Sequence, residues 1–378
     1  MSTKQLMIVG GGLVGAAIAY GAASRGLSVR ILDQGDTAFR ASRGNFGLVW
    51  LSSKGSGVPN YARWTMNAVQ RWGDFHQELL SLTGVDCGLV QKGGFWLGFS
   101  EEEVQQRADL LAKIDREAGG IPFRMMEPDE IRQYLPGLGP KVVGGSWGAH
   151  DGMTNPLLLL RALHSGLKGA GADLISGVDV TKIEHDADKG RFTARSRDGQ
   201  SWTSDRIVIA AGLGISDLAK QVGIHAPIVT TRGQVLITER LQPFMDYPTN
   251  KVRQTGEGTV QIGSTSEDVG LNDGTTVDKI EWLARRAVDT FPGLANARLV
   301  RAWGALRPLT LDGYPIYEES ETCPGAFVAV CHSGVTLAAV HAHVVGPWMG
   351  GLKDAPAEAA TFRSARFLDK NARSVRDY

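Results

Sequence analysis

The residues best suited to chemistry lie near the start of the chain, in a glycine-rich run followed by a more distant acid. Gly10, Gly12 and Gly15 have the spacing G-x-G-x-x-G, and Asp33 comes eighteen residues after the last glycine. Gly10 permits a tight turn, the missing Cβ of Gly12 lets a pyrophosphate approach the backbone, and Gly15 lets a helix pack closely. A carboxylate at Asp33 accepts a ribose hydroxyl and repels a 2′-phosphate. The run therefore predicts a dinucleotide site, for FAD or NAD rather than NADP.

The elements around this run must form a strand, a helix and a second strand. Apolar residues before Gly10 predict the first strand, the alanine-rich stretch 16–27 predicts a helix, and residues 28–33 predict the second strand. The N–H groups of Leu13 and Val14 then lie near the helix start, where the helix dipole attracts phosphates. The spacing thus predicts a phosphate-binding βαβ unit over residues 5–33.

Helical and strand patterns alternate along the rest of the chain. The patterns predict helices over 58–83, 101–118, 155–170, 277–291 and 333–349, and strands over 173–176, 178–185, 191–197, 204–212, 226–238, 258–263 and 326–330. This order predicts an α/β fold. It has a Rossmann-like domain with a central parallel sheet and a smaller α+β substrate domain with a mostly antiparallel sheet. We assign residues 1–86, 149–224 and 304–378 to the dinucleotide-binding domain, and residues 87–148 and 225–303 to the substrate domain.

The composition argues against several classes of function. The chain has 378 residues with 40 basic and 40 acidic side chains, so its charge gives no reason to expect binding to nucleic acid or to an anionic membrane. Its three cysteines, Cys87, Cys323 and Cys331, are too widely spaced to predict a metal site. The apolar run 6–23 is broken by glycines, which argues against a signal peptide or a membrane span. The low cysteine content indicates the cytoplasm.

Four further segments share a pattern with a known family. They are the loop 41–48 (ASRGNFGL), the strand 180–183 (VTKI), the turn 209–212 (IAAG), and the paired runs 303–308 (WGALRP) and 332–338 (HSGVTLA). Together with the glycine run they resemble the D-amino-acid oxidase family of flavoproteins, which includes glycine oxidase, sarcosine oxidase and D-amino-acid dehydrogenase. The first and last segments most resemble a subgroup that contains the B subunits of opine oxidases and the C subunit of hydrogen cyanide synthase. The resemblance covers nearly the whole chain.

The resemblance implies FAD as the cofactor. The family's cofactor contacts correspond here to Gly10, Gly12, Leu13, Val14, Gly15, Asp33, Ser42, Asn45, Gly47, Leu48, Val180, Ala211, Gly212, Arg307, Ser333, Gly334, Val335 and Thr336. The turn 333–336, at the start of the predicted helix 333–349, would stabilise negative charge at the flavin pyrimidine edge, with the Thr336 hydroxyl adding a hydrogen bond. Sarcosine oxidase relatives attach the flavin through a cysteine, but Ala305 and Leu306 occupy that region here, so we expect non-covalent FAD. Two departures, Cys331 where a glycine is frequent and Asp33 where glutamate is commoner, leave the fold intact.

Five residues are candidates for contact with the substrate. Arg307 lies in an apolar segment and needs an anionic partner, which the resemblance implies is a substrate carboxylate; the alternative is an internal ion pair. His332 is a candidate base, substrate contact or flavin contact. Arg253 is expected either to meet a second carboxylate or to lie at the surface. Phe46 and Trp50 are expected to be apolar walls beside the flavin or ordinary core residues.

The resemblance implies oxidation of a C–N bond in an amino acid or N-substituted amino acid, by hydride transfer to flavin N5 and hydrolysis of the resulting imine. The substrate is a D-amino acid, a glycine- or sarcosine-like compound, a proline-like compound or an opine. One alternative is a 2-hydroxy-acid dehydrogenase, in which His332 would be the base. Another is a flavin subunit active only with a second polypeptide. The electron acceptor stays open among O2, a quinone and a partner protein, and we expect a homo-oligomer or a partner dehydrogenase subunit.

Overall fold

The computed structural model describes residues 4–35 and 41–368 of the chain. Its strands are β1 (Lys4–Val9), β2 (Val29–Asp33), β3 (Leu48–Val49), β4 (Gly94–Gly98), β5 (Phe123–Met126), β6 (Gly144–Gly148), β7 (Gly152–Met153), β8 (Asp173–Ser176), β9 (Val180–Asp186), β10 (Arg191–Ser196), β11 (Ser201–Ile209), β12 (Ile228–Arg240), β13 (Val252–Gln254), β14 (Thr259–Gly263), β15 (Leu299–Thr310), β16 (Ile316–Glu319) and β17 (Ala326–Val330). Its helices are α1 (Leu13–Ala23), α2 (Pro59–Gln70), α3 (Trp72–Thr83), α4 (Glu101–Ala118), α5 (Pro128–Arg132), α6 (Pro156–Gly169), α7 (Ile215–Lys220), α8 (Val277–Thr290), α9 (Ala338–Val340) and α10 (Gly346–Met349), with a π-helix, His341–Val345, between the last two.

The glycine run follows a central strand of an eight-stranded sheet. The sheet has the order β16-β17-β11-β1-β2-β8, and its strands are parallel from β17 to β8, while β9 and β10 extend β11 in antiparallel fashion. Alternate residues of β1 point to opposite faces: Leu6 and Ile8 join one hydrophobic cluster, and Met7 and Val9 join another. Both faces are therefore covered, as a parallel sheet requires. The predicted α/β fold with a central parallel sheet is confirmed.

A second group of strands forms two antiparallel sheets. One has the order β13-β14-β12-β15 and the other β4-β6-β5, and a bridge between Phe95 and Thr249 connects them. In the first sheet, even-numbered residues such as Leu236 and Ile262 pack against Leu283 of α8 in a third hydrophobic cluster. The odd-numbered residues of these strands face the other way and are left to line a cavity. The predicted mostly antiparallel second sheet is confirmed.

The predicted domain division stays a prediction. The third hydrophobic cluster is separate from the two that cover the parallel sheet, which fits two units. However, β15 runs through the predicted boundary between residues 303 and 304 without a break. If the chain has two domains, this strand belongs to both.

Two helix predictions differ from the structure. The stretch 58–83 is two helices, α2 and α3, because the Arg71 N–H bonds to the Ala68 carbonyl in a tighter turn at the junction. The helix predicted to begin at Ser333 begins at Ala338, after a turn. The Thr336 carbonyl, which a regular helix would use internally, accepts a hydrogen bond from the Trp72 indole N–H, at 2.9 Å. Tertiary hydrogen bonding therefore holds this turn outside the helix.

Candidate functional site

One large cavity, of about 1030 Å³, runs from the glycine turn along the parallel sheet to the exposed face of β15. Most of the residues predicted to contact cofactor or substrate line it. They are Gly10, Gly12, Leu13, Val14, Asp33, Ser42, Asn45, Phe46, Leu48, Trp50, Val180, Ala211, Gly212, Arg307, His332, Ser333, Gly334, Val335 and Thr336. Gly15, Gly47 and Arg253 do not line it. The structure thus brings together segments from the whole length of the chain.

The glycine turn has the shape of a phosphate cradle. Gly10 has a φ of +106°, and a Cβ there would overlap the Ala210 carbonyl oxygen. A Cβ on Gly15 would overlap the Gly10 carbonyl, which explains why this glycine acts through packing rather than by lining the cavity. Gly12 precedes α1, and the first turn of that helix carries no acidic side chain. The start of α1 therefore suits an anionic group.

Asp33 is held rigidly beside this turn. Its Oδ2 accepts the Gly11 N–H at 2.7 Å, and its Oδ1 accepts the Gly35 N–H at 2.9 Å. Each carboxylate oxygen can accept a further hydrogen bond, so these contacts leave capacity for a ribose hydroxyl. The ribose role of Asp33 stays a prediction.

The turn 333–336 is anchored by side chains from α2 and α3. The Tyr61 hydroxyl donates to Ser333 Oγ at 3.1 Å, and the Trp72 indole donates to the Thr336 carbonyl. The Thr336 hydroxyl accepts the Trp50 N–H at 3.1 Å and donates to the Leu48 carbonyl at 3.3 Å. The Thr336 hydroxyl was predicted to hydrogen-bond the cofactor. Its proton is instead donated to the Leu48 carbonyl of β3, so Thr336 connects this strand to the turn. The main-chain N–H groups of the turn are the donors better placed for that role.

Arg307 extends from the cavity face of β15. Its Nη2 donates to Ser264 Oγ at 2.5 Å and to the Thr265 carbonyl at 3.1 Å. The guanidinium crosses directly over Gly233, where a Cβ would collide with it. Burial lowers the pKa of Arg307 to about 10, against the opposing charge of Glu267. Within residues 4–35 and 41–368, Arg307 forms no ion pair, so the alternative of an internal salt bridge does not hold there.

Glu267, the carboxylate whose charge acts on Arg307, is already paired with another arginine. Glu267 accepts a hydrogen bond from Arg232 Nη2 at 2.9 Å, and both side chains are almost fully buried. Arg307 therefore carries its positive charge into the cavity without a carboxylate of the described chain to balance it. A buried cation in this state favours an anionic ligand.

His332 shares this end of the cavity with a residue that the sequence analysis missed, Lys54. Burial, together with the positive charges of Lys54 and Arg307, holds the pKa of His332 well below its ordinary value. Burial also lowers the pKa of Lys54 to about 8, although Cys331 and Asp151 oppose this shift. At neutral pH His332 is uncharged and a weak base, whereas the two cations remain charged.

The loop that carries Lys54 rests on a buried polar cluster, which was also missed. Asp151 Oδ1 accepts the N–H groups of Leu51 and Ser52, at 2.6 and 3.1 Å. Arg107, buried beneath the same loop, donates to the hydroxyl of Ser53, whose φ is +90°. Asp151 and Arg107 therefore position a strained loop at the cavity wall.

Replacing Asp151 with asparagine is expected to change how stability depends on pH. Burial raises the pKa of Asp151 to about 6, above the value of ~3.9 of an unfolded aspartate. Because the folded state binds the proton more tightly, the wild type loses stability as the pH rises from about 4 to 6, by about 3 kcal/mol. Asparagine can still accept both N–H bonds but does not ionise.

The measurement is the free energy of denaturant unfolding of both proteins at pH 4 and pH 7. Between pH 4 and pH 7, the free energy of unfolding of the variant relative to that of the wild type should rise by up to about 3 kcal/mol. An equal difference at the two pH values would show that Asp151 does not titrate in this range.

Arg253 lies on the same face of the second sheet but behind Phe46. It is 2% exposed, its Nη2 donates to Gln261 Oε1 at 2.6 Å, and its guanidinium lies 5.5 Å from the Phe46 ring centroid. The alternative of a surface arginine is therefore wrong. Arg253 does not line the cavity, so this arrangement gives no support for its contact with a second carboxylate, which stays a prediction. Phe46 and Trp50 themselves line the cavity, as predicted for apolar walls.

The thiols give no evidence of a covalent tether. Ala305 packs against Gly44 of the loop 41–48, in the region where relatives carry the cysteine. Cys331 lines the cavity, and burial raises its pKa to about 12, which makes it a poor nucleophile. Non-covalent binding stays a prediction. Across the described residues no group of three or more potential ligand side chains could hold a metal ion, and no helix is long and apolar enough to cross a membrane.

Comparisons with known proteins agree with this architecture. The profile of the DAO family, described as FAD dependent oxidoreductase, matches residues 5–348. The opine oxidase B subunit of Agrobacterium tumefaciens is 39% identical over 376 residues, which is 98% of this chain and 100% of that protein. The HcnC subunit of hydrogen cyanide synthase from Pseudomonas protegens is 25% identical and aligns over 89% of each chain. The crystal structure of glycine oxidase from Geobacillus kaustophilus matches with a TM-score of 0.83 and 25% identity, over 94% of this chain and 96% of the other.

The match to the family profile spans the glycine cradle, the cavity and the turn at residues 333–336. The cradle and the cation-lined end of the cavity are parts of one continuous space, as a flavin enzyme requires. The resemblance drawn from the sequence is confirmed, and FAD is the cofactor. The chain belongs to the DAO family and is an FAD-dependent oxidoreductase.

Proposed function

We propose that the chain oxidises the C–N bond of an amino acid or an N-substituted amino acid. The observation that carries this proposal is Arg307, a buried arginine that forms no ion pair within the described residues and lies in the same cavity as the glycine cradle. A substrate carboxylate paired with its guanidinium would be oriented by two parallel hydrogen bonds. The names of the relatives, opine oxidase and glycine oxidase, support substrates of this kind.

The cradle would hold the cofactor by its pyrophosphate. Gly10, Gly12 and the N–H groups at the start of α1 would bind the phosphates, and Asp33 would bind the ribose. The turn 333–336 would face the flavin ring with its main-chain N–H groups. FAD, when bound, accepts a hydride from the carbon next to the substrate nitrogen.

The cationic end of the cavity would prepare the amine. A substrate ammonium beside Lys54 and Arg307 would be repelled by both charges, which lowers its pKa and favours the neutral amine. The neutral His332 offers a ring nitrogen that can accept a hydrogen bond. No strong base is then needed, because the nitrogen lone pair assists the departure of the hydride. The imine product hydrolyses to a carbonyl compound and an amine or ammonia.

The depressed pKa of His332 also bears on the alternative reaction. Oxidation of a 2-hydroxy acid requires removal of a hydroxyl proton, and His332 was the predicted base. With burial and two neighbouring cations holding its pKa low, His332 is a poor base at neutral pH. This observation favours the amine over the hydroxy acid.

A second subunit is part of the proposal. Two relatives that align over most of this chain are named as subunits, of opine oxidase and of hydrogen cyanide synthase. We therefore expect a dehydrogenase that passes electrons to a partner rather than directly to O2. Reoxidation of the isolated chain by air should then be slow.

The test is the visible spectrum of the purified chain under anaerobic conditions, with a panel of amines and 2-hydroxy acids. We expect the flavin band to bleach with at least one amino acid or secondary amine and not with hydroxy acids. On admission of air, slow return of the colour would support a dehydrogenase, and rapid return an oxidase. Bleaching by a hydroxy acid that is lost in His332→Ala, with FAD retained, would contradict the proposal and favour the alternative.

A further inference from the structure

Lys251 is a third cation at this end of the cavity, besides Arg307 and Lys54, and it lies beside Arg307. Its Nζ donates to the Ser264 carbonyl at 2.8 Å and lies 5.7 Å from the Trp282 ring centroid. Among the described residues Lys251 forms no ion pair. Its charge therefore faces the same space as that of Arg307 without a carboxylate to balance it.

One serine connects the two cations. Lys251 bonds the carbonyl of Ser264, and Arg307 bonds its hydroxyl, so the two positive groups lie on either side of a single residue. Burial, together with the charges of Arg307 and Arg286, lowers the pKa of Lys251 to about 8. Two like charges held together in a buried cavity are costly unless anions accompany them. The pair therefore suits two negative groups better than one.

The register of the second sheet explains why Lys251, and not Arg253, reaches the open cavity. The Gly263 N–H bonds the Lys251 carbonyl, and Arg253 pairs with Gln261 two residues along. Residues two apart lie on the same face of a strand, so the two side chains project from the same side of the sheet. The Arg253 guanidinium packs against Phe46 and does not line the cavity, whereas Lys251 does.

The acidic residues that line the cavity lie towards its other end. Within the described chain they are Asp33 at the end of β2, Asp179 just before β9 and Asp217 in α7. The cavity thus has a cationic substrate end on the antiparallel sheet. A substrate there would meet positive groups at both sides.

We propose that Lys251 binds a second carboxylate and selects secondary amines that carry a carboxylate on each side of the nitrogen. This inference rests on the proposed function, with the first carboxylate on Arg307. A substrate with one carboxylate would leave one member of the Lys251–Arg307 pair unbalanced, whereas a dicarboxylate would neutralise both members of this pair. Lys251 is thus a residue that determines specificity rather than one that takes part in bond breaking.

The test uses two pairs of ligands that differ by one carboxylate: iminodiacetate with sarcosine, and N-(1-carboxyethyl)alanine with N-ethylalanine. Binding to the FAD-loaded chain is followed by the shift of the flavin spectrum, and the rate of anaerobic bleaching is recorded separately. The wild type should bind the dicarboxylate of each pair more tightly. Lys251→Met should weaken binding of the dicarboxylate roughly 10- to 100-fold, which corresponds to the loss of one charge-assisted hydrogen bond. The affinity for the monocarboxylate should stay within about 3-fold of the wild type.

Two further variants serve as controls. Lys251→Arg keeps the charge and should keep most of the preference. Lys141→Met removes an exposed lysine that pairs with Asp289 and does not line the cavity, so it should change neither ligand. Lys54→Met tests whether Lys54, rather than Lys251, binds the second carboxylate. If Lys54→Met abolishes the preference for dicarboxylates and Lys251→Met does not, the inference is overturned.

Failure of this inference can be distinguished from failure of the proposed function. Equal weakening of both members of a pair by Lys251→Met, or a wild type that binds the monocarboxylate equally well, would overturn this inference and leave the proposed function intact. A flavin spectrum that no amine of either pair shifts or bleaches would overturn both.

Discussion

Replacing Arg307 with methionine is expected to lower kcat/KM for the best amine substrate by roughly 30- to 5000-fold, about 2–5 kcal/mol, while FAD loading is retained. The physical reason is that methionine has a similar length but offers no donors to the substrate carboxylate. The carboxylate would then be buried without a partner, beside a cavity that excludes much of the solvent. The amine would also lose the orientation that places its carbon for hydride departure.

The measurement is anaerobic bleaching of the flavin over a range of substrate concentrations, which separates binding from the rate of the chemical step. Arg307→Lys keeps the charge but not the planar fork, so its loss should be smaller than that of methionine and should fall mainly on orientation. Because Arg307 also bonds Ser264 and Thr265, far-ultraviolet circular dichroism and the FAD content must match the wild type. Unchanged kcat/KM in a folded, FAD-loaded Arg307→Met would place the carboxylate elsewhere.

The sequence predicts the glycine cradle well because its parts are local. Gly10, Gly12 and Gly15 act within one turn, and Asp33 follows from a strand of ordinary length, so their spacing alone determines that they meet. The same holds for the cap of α6, where Asn155 precedes Pro156 and accepts the N–H groups of Leu157 and Leu158. In such cases a few neighbouring residues specify the geometry.

The substrate end was predicted less well because long-range pairing builds it. Lys54, Lys251 and Arg307 come from three distant segments, and only the pairing of β12, β14 and β15 brings the last two onto one face. Nothing in the local pattern around Lys54 or Lys251 distinguishes either from a surface lysine. The sequence analysis named Arg253 and not Lys251, because the sequence does not show that Arg253 packs against Phe46 while Lys251 lines the cavity.

The role of a single glycine can also depend on a distant contact that the local sequence does not reveal. Gly233 lies within β12 for no local reason, yet its missing Cβ leaves the space that the Arg307 guanidinium occupies. The turn at 333–336 was predicted as a helix start because its sequence is compatible with one. Hydrogen bonds from Tyr61 of α2 and Trp72 of α3, which are distant in sequence, hold it as a turn.

Replacing Gly12 with aspartate is expected to abolish FAD loading while the fold survives. Gly12 has φ −71° and ψ −177°, which other residues adopt readily. The nearest atom to a new Cβ is Ser42 Oγ, at 2.9 Å, a side-chain atom that accepts the Leu13 N–H and can rotate away. Aspartate is also a favourable residue before a helix, because its carboxylate accepts the free N–H groups of the first turn. Those are the groups that the pyrophosphate needs, and the added charge repels the phosphates by about 4 kcal/mol at 4 Å in a partly screened environment, or roughly 1000-fold in FAD affinity.

Gly12→Asn separates charge from shape, because asparagine has the same size and also caps the helix. It should weaken FAD binding by a smaller factor, roughly 10- to 100-fold, through crowding of the phosphates and occupation of the N–H groups, without the charge repulsion. Gly15→Ala should behave differently, since its Cβ would overlap the Gly10 carbonyl, and we expect loss of folding together with loss of FAD. Gly73→Ala, in α3 with open space around it, should change neither folding nor FAD binding.

The measurements are the ratio of flavin to protein after purification, FAD affinity by fluorescence titration and thermal unfolding of the apoprotein. Full FAD loading in Gly12→Asp would show that the phosphates do not lie on the start of α1, and the whole placement of the cofactor along the cavity would then have to be reversed.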